Sequence, residues 1–170
     1  MGFTISALGT FKEKINTALY KNEDLKKLLF SEKGQGEFKL SELEKFKKYV
    51  QSHLFIDETI KETGSYIFYD VIIKDIGYTT QNVSVIVMAV CHRSILDKMD
   101  DINPDLGYRG NRADVMAEMI EDTLVNNEEV SRDFGIGKIE LKKIEIYNMP
   151  HMYGHILTFT VPDFSQENYR

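Results

Sequence analysis

Residues 65–92 read SYIFYDVIIKDIGYTTQNVSVIVMAVCH. Along this stretch the apolar period changes from about 3.6, that of a helix, to about 2, that of a strand. The stretches 66–76 and 82–92 are rich in β-branched and aromatic residues, and Gly77-Tyr-Thr-Thr-Gln81 between them suits a hairpin loop. The first strand is apolar on both sides, with Tyr66, Phe68 and Ile72 on one and Ile67, Tyr69, Val71 and Ile73 on the other. A strand of that kind is expected to be central or covered on both faces.

Downstream, residues 93–110 form a connection that contains Pro104 and Gly107. It is longer than most loops inside a domain, so it is expected to be mobile in a free subunit and ordered against a neighbour. Asn111 then opens the clearest helix of the chain, expected over 111–126. Ala113, Met116, Ala117, Ile120 and Leu124 lie along one side, and Asp114, Glu118, Glu121 and Asp122 along the other. A second hairpin is predicted from 138–147 and 155–161. In its first strand the apolar phase slips from Ile139 and Leu141 to Ile144 and Ile146. Lys142 and Lys143 at the slip point to a bulge, or to an edge strand guarded by lysine.

Upstream, Ile5, Leu8, Phe11, Ile15 and Leu19 recur at helical spacing, and Asn22 can cap a second piece carrying Leu25, Leu28 and Leu29. Glycines 34 and 36 break the pattern. Ser41 with Glu44 forms a capping box that opens a third helix, striped by Leu43, Phe46, Val50 and Leu54. The expected fold class is α/β of the α+β type: one mixed or antiparallel sheet of two hairpins, with packed helices and an N-terminal helical region. The 170 residues are read as one domain, with a helical region over 1–60, a sheet-plus-helix core over 61–164 and a tail over 165–170.

With 42% hydrophobic residues the chain can fill a core, yet no apolar run approaches the roughly 20 residues that span a bilayer. A soluble protein without a membrane partner is expected. The N-terminus has no charged segment leading an apolar one, so no secretory leader is expected. Met1-Gly-Phe-Thr-Ile-Ser6 fits the loose myristoylation pattern, but Ile5 and Leu8 are better read as a helix face. Cys91, the only cysteine, allows no intrachain disulfide and no multi-cysteine zinc framework. The net charge of −6 argues against tight binding of nucleic acid. Charge is uneven: residues 1–50 carry ten lysines and seven acids (10 − 7 = +3), leaving eleven basic and twenty acidic residues in the remainder (11 − 20 = −9).

Several motifs invite chemistry. His151 and His155 are four apart, but Pro150 and Gly154 oppose a helix and no third ligand lies nearby in sequence, so they read as turn and strand-end histidines. Cys91 and His92 are consecutive strand residues that point to opposite faces, which makes a thiol-imidazole pair unfavourable. Asp101-Ile-Asn103-Pro-Asp105-Leu-Gly107 resembles a calcium loop, but its glycine is one place late and Arg112 stands where a bidentate glutamate is required. Asp133-Phe134-Gly135 and Gly135-Ile-Gly137-Lys138 lack the partners of a kinase or a P-loop. Asp70 with the acids of the long helix could serve a metal-dependent nuclease, although no basic groove accompanies them. No cofactor, no metal site and no catalytic residue is expected.

Taken together, Asn22-Glu-Asp-Leu-Lys-Lys-Leu-Leu29, Phe55-Ile-Asp-Glu-Thr-Ile60, Gly107-Tyr-Arg-Gly-Asn-Arg-Ala-Asp-Val-Met116, Gly135-Ile-Gly-Lys138 and Tyr153-Gly-His-Ile-Leu-Thr-Phe-Thr-Val-Pro-Asp163 resemble tailed-bacteriophage tail terminator and neck-ring proteins. The likeness lies in pattern and element order over most of the chain. It implies a sheet flanked by helices, no enzymatic activity, and a ring, commonly of six copies, that caps the tail tube, stops its growth and receives the head. The partners it implies are further copies of the chain, the tail tube protein, the neck and head-connector proteins, and DNA that passes the channel without specific binding. The location it implies is the tail-neck junction of the virion, after assembly in the host cytoplasm. The neighbouring reading is a head-completion or neck adaptor protein; a small metal-dependent α/β enzyme and a cytoplasmic protein-binding adaptor are further alternatives. The uneven charge gives candidate ring contacts: Lys45, Lys47 and Lys48 on the positive side, Glu118, Glu121 and Asp122 on the negative side, with Arg109 and Arg112 in the segment between.

Overall fold

A computed structural model of the chain describes residues 5–30, 41–54, 63–76, 81–128 and 139–164. The myristoylation pattern at Gly2, the loop 77–80, the turn holding Asp133, Phe134 and Gly135, and the tail 165–170 lie outside the described residues.

Three helices come first: α1 (Ile5–Lys21), α2 (Glu23–Phe30) and α3 (Glu42–Tyr49). Phe11, Ile15 and Leu19 of α1 are fully buried, as their spacing requires, whereas Ile5 at the start of the helix is 85% exposed. Asn22 caps α2 by accepting from the Leu25 amide at 3.0 Å. The Ser41 and Glu44 capping box opens α3, and the backbone and hydroxyl of Ser41 lower the pKa of Glu44 by hydrogen bonding to its carboxylate. The expected stripe on α3 is corrected in three places. Leu43 is 47% exposed, Val50 has left the helix to form β1 (Val50–Gln51) beside Ile67, and Leu54 lies beyond the end of the helix, half-buried. Phe46 and Tyr49 are the buried residues of α3.

Strands β2 (Ser65–Ile76) and β3 (Gln81–His92) form the first hairpin, and β4 (Glu140–Asn148) and β5 (Met152–Phe164) the second. Between them lies α4 (Arg112–Glu121), extended by a π-helical turn over Asp122–Asn126. The sheet order is β1-β2-β3-β5-β4, with β1 parallel to β2 and every other pair antiparallel. The result is a mixed five-stranded α+β sheet in which the two hairpins join through β3 and β5.

Alternation decides what each face meets. Val85 stands between Val71 and Phe159, Val87 between Tyr69 and Leu157, and Ala89 between Ile67 and His155. Helix α4 lies on this face, where Ala113 packs with Cys91 and Asp114 reaches His155. Met116, Ile120 and Leu124 are fully buried, as the sequence indicates. Val115 and Met119 are buried too, so α4 is enclosed on more than one side. The opposite face buries Tyr66, Phe68, Ser84 and Val90. The register slips between Leu141 and Lys143, which places a bulge at the predicted change of phase.

Gly154 is held by space. It pairs with Val90 on one side and Tyr147 on the other, and a Cβ added there would stand 1.9 Å from the carbonyl oxygen of Ala89. Backbone cannot yield as a flexible side chain can. Gly154→Ala should therefore cost about 1–3 kcal/mol of stability, the usual range for overpacking, read from the midpoint of urea unfolding. A change within about 0.5 kcal/mol, as at an exposed site, would show that β3 and β5 do not approach so closely.

Candidate functional site

The most concentrated polar chemistry surrounds Arg112, the first residue of α4, which is 0% exposed. A guanidinium carries five N–H donors, and here each has an acceptor. Nε donates to Ser65 Oγ at 2.9 Å. One terminal nitrogen donates to Asp101 Oδ1 at 2.7 Å and to the Lys98 carbonyl at 2.8 Å. The other donates to Asp101 Oδ2 at 2.8 Å and to the Leu28 carbonyl in the last turn of α2. The pairing with Asp101 is bidentate, the strong geometry for this couple. Arg112 was expected at an interface between subunits; it lies instead inside the subunit, joining α2, β2, α4 and the 93–110 connection.

That connection is fastened to the rest of the subunit at several points. Two 3₁₀ turns, Arg93–Ile95 and Pro104–Leu106, give it local structure, and the Arg112 amide donates to the Leu96 carbonyl at 2.8 Å. Tyr108 closes its far end by donating to Asp122 Oδ2 at 3.0 Å, and burial followed by that bond pushes the phenol up to about 12. The calcium-like pattern has a structural explanation. Asp101 is neutralised by Arg112, and Asn103 caps the second 3₁₀ turn through the Asp105 amide.

The histidines separate. His155 Nε2 lies 2.6 Å from Asp114 Oδ1, while the other oxygen of Asp114 accepts from the Asn111 amide in the α4 capping box. The Nδ1 of His155 is buried without a hydrogen-bond partner. His151 is exposed and stacks on His92 at 6.3 Å, and His92 caps the following turn through the Ser94 amide. Cys91 packs with Ile95 and Ala113. Asp70 pairs with Lys12 of α1 at 2.7 Å rather than with the acids of α4. Among the described residues no group of three or more His, Cys, Asp or Glu is placed to hold a metal ion.

The remaining candidates lie on two helices. On α3, Lys47 is exposed and Lys45 and Lys48 are half-buried, with the Lys48 ammonium 5.7 Å from the ring centroid of Tyr49. On α4 and its extension, Glu118 is exposed, while Glu121 and Asp122 are half-buried. Helix α2 packs on both α3 and α4, so the lysines and the acids sit on two helices that share it as a neighbour. Arg109 is exposed in the loop before α4. Part of the N-terminal positive charge is used inside the subunit. Lys26 is buried under Tyr20 and bonded to Glu23 and Glu42, which together raise its pKa.

The sequence did not show the surface that stands out most. Among the described strands β4 lies at an edge of the sheet, and Ile144 and Ile146 on it are 60% and 65% exposed, with Met149 beyond them at 52%. Pairing puts Ile144 opposite Leu157 and Ile146 opposite His155, on the face that carries α4. These side chains therefore lie on the core face, beyond the cover that α4 gives β3 and β5.

The fold and these surfaces define an α+β protein whose buried polar groups hold its elements together and whose uncovered apolar surface runs along a strand edge. The chain belongs to the YomW family, whose family model matches residues 22–161. That family is phage-associated. Neither curated proteins nor solved structures yield a match.

Burial makes Cys91 an inert thiol, pushing its pKa up to about 12. In the native protein at about pH 8 it should resist alkylation and then react promptly once urea unfolds the chain, because the thiolate is the reactive form. Labelling of the native protein at the rate of a small free thiol would contradict this placement.

Proposed function

We propose that this chain is a non-enzymatic structural protein of a tailed-phage particle, a tail terminator whose copies close a ring at the head-proximal end of the tail. Membership of a phage-associated family is the observation that carries the reading. The element order of helices and two hairpins, which resembles terminator and neck-ring proteins, supports it. So does the exposure of Lys47 and Glu118 on two different helices, α3 and α4. A subunit with separate positive and negative surfaces can join head to tail, and such a contact closes a ring when the rotation permits.

In this reading α3 of one subunit, through Lys45, Lys47 and Lys48, meets the acidic side of α4 on the next. The tube protein lies below the ring and the neck and head-connector proteins above it. Acids lining the channel let DNA pass without holding it, since phosphates find no cations there. A head-completion or adaptor ring one layer nearer the head would use the same surfaces.

Interfacial charges mainly steer encounter and fix register. Reversing Lys45, Lys47 and Lys48 together to Glu should leave the monomer folded, slow its incorporation into tails at least about tenfold at low salt and make assembly salt-sensitive, with added salt screening the new repulsion and speeding it. Imaging of purified particles with the protein labelled should place several copies at the tail-neck junction. Density elsewhere, a single copy there, or absence from the particle would overturn the proposal.

A further inference from the structure

The exposed edge of β4 has no place in the head-to-tail contact just described, and its composition is unusual for an edge left in water. Natural edges are blunted by charged side chains, above all lysine, by prolines or by bulges, because open backbone groups template pairing with another chain. Here two lysines and a bulge are present, but the lysine charges are cancelled within the strand. Lys143 pairs with Glu145 at 2.8 Å and Lys142 with Glu140. The strand is thus electrically neutral, with two exposed isoleucines at its middle.

The order of charges indicates an occupant. β4 runs from Glu140 to Asn148, and its midpoint is Ile144. If a second β4 lies antiparallel with full overlap, Ile144 faces its own mate. Lys143 then faces Glu145 of the other copy, and Glu145 faces Lys143. Shifting the copies by one step of the pleat in one direction sets Glu145 against Glu145, and in the other Lys143 against Lys143. Like charges directly opposite destabilise a strand pair, whereas opposite charges and apolar pairs stabilise it. The register of greatest overlap is therefore also the one in which charges alternate.

We propose that β4 is a docking edge for a second copy of this chain, paired antiparallel about a two-fold axis at Ile144, so that two five-stranded sheets join into one. Ile144 and Ile146 from both copies then form one apolar row on the helix-bearing face. Lys143 and Glu145 from both form a four-charge cluster on the other face. The bulge at Lys142 falls opposite Ile146 of the mate and limits regular pairing to the middle of the strand, which makes the contact a modest one. A two-fold contact uses the same patch on both partners and cannot itself continue around a ring. It relates two free copies, or two rings face to face, and does not rest on the position in the tail proposed above.

Two sets of variants test this. Ile144→Cys should form an intermolecular disulfide under mild oxidation, since the two side chains face each other and Cys91 is buried. Ile146→Cys should not, because its two copies lie about four residues apart along the strands, roughly 13 Å. Sedimentation of the unmodified chain should show dimers at high concentration. Lys143→Glu or Glu145→Lys alone should weaken dimerisation by about tenfold, and the double exchange Lys143→Glu with Glu145→Lys should restore it. The restoration separates a specific register from general stickiness. A chain that stays monomeric at its solubility limit with no Ile144→Cys cross-link would overturn the proposal. So would a dimer indifferent to the charge reversals, cross-linking through Ile146→Cys instead, or protection of β4 from hydrogen exchange only when another phage protein is added.

Discussion

One buried cation, Arg112, ties α2, the start of β2, the 93–110 connection and α4 to one another. A guanidinium removed from water costs several kcal/mol unless it is fully bonded, and Arg112 recovers that cost only by drawing five acceptors to one place. Those acceptors come from the last turn of α2, the first residue of β2 and two points of the connection that leads into α4. Because Ser65 and Leu28 are distant from Arg112 in sequence, the full set can form only when α2 and the sheet are already close to their final positions. Breaking one partner would leave the rest of a buried charge exposed to a low dielectric, so the segments are coupled.

The same economy appears elsewhere in the molecule. Lys26 binds two carboxylates and an aromatic face, Lys12 binds Asp70 and the Ser52 carbonyl, and Asp114 serves both the α4 cap and His155. Three groups that look like chemistry in the sequence, His155, Asp70 and Cys91, are placed between elements as fastenings or filling. Among the described residues, the outward-facing features include charge on α3 and α4 and an apolar edge on β4. Such a surface is suited to association, the role proposed for it in the phage particle.

Much of this was legible in the sequence because it depends on local rules. The change of apolar period at Ser65, the Ser41 and Asn111 caps and the phase slip at Lys142 each report backbone geometry within a few residues. Pairings between distant segments were not legible. Arg112 looked like a surface residue because arginine usually is one, and nothing near it in sequence says that Leu28, Ser65 and Asp101 will converge. Asp114 reached His155 across forty-one positions, so the absence of a nearby third ligand was no guide to the histidine's partner. Val50 carried a helical spacing and became a strand because β2 offered a parallel edge, a tertiary influence stronger than a local pattern. The exposure of Ile144 and Ile146 was hidden for a related reason. Alternation shows which face a side chain joins, but not how far the covering helix extends.

The coupling through Arg112 can be measured most directly by native-state hydrogen exchange on the Arg112→Met variant, which keeps the apolar stem and removes the charge. Protection should fall together in α2, in the 93–110 connection and in the first turn of α4, while the central β3 and β5 amides remain protected. Loss confined to the first turn of α4, with α2 and the connection as protected as before, would show that Arg112 fastens only its own helix and would contradict its role as the node of the fold.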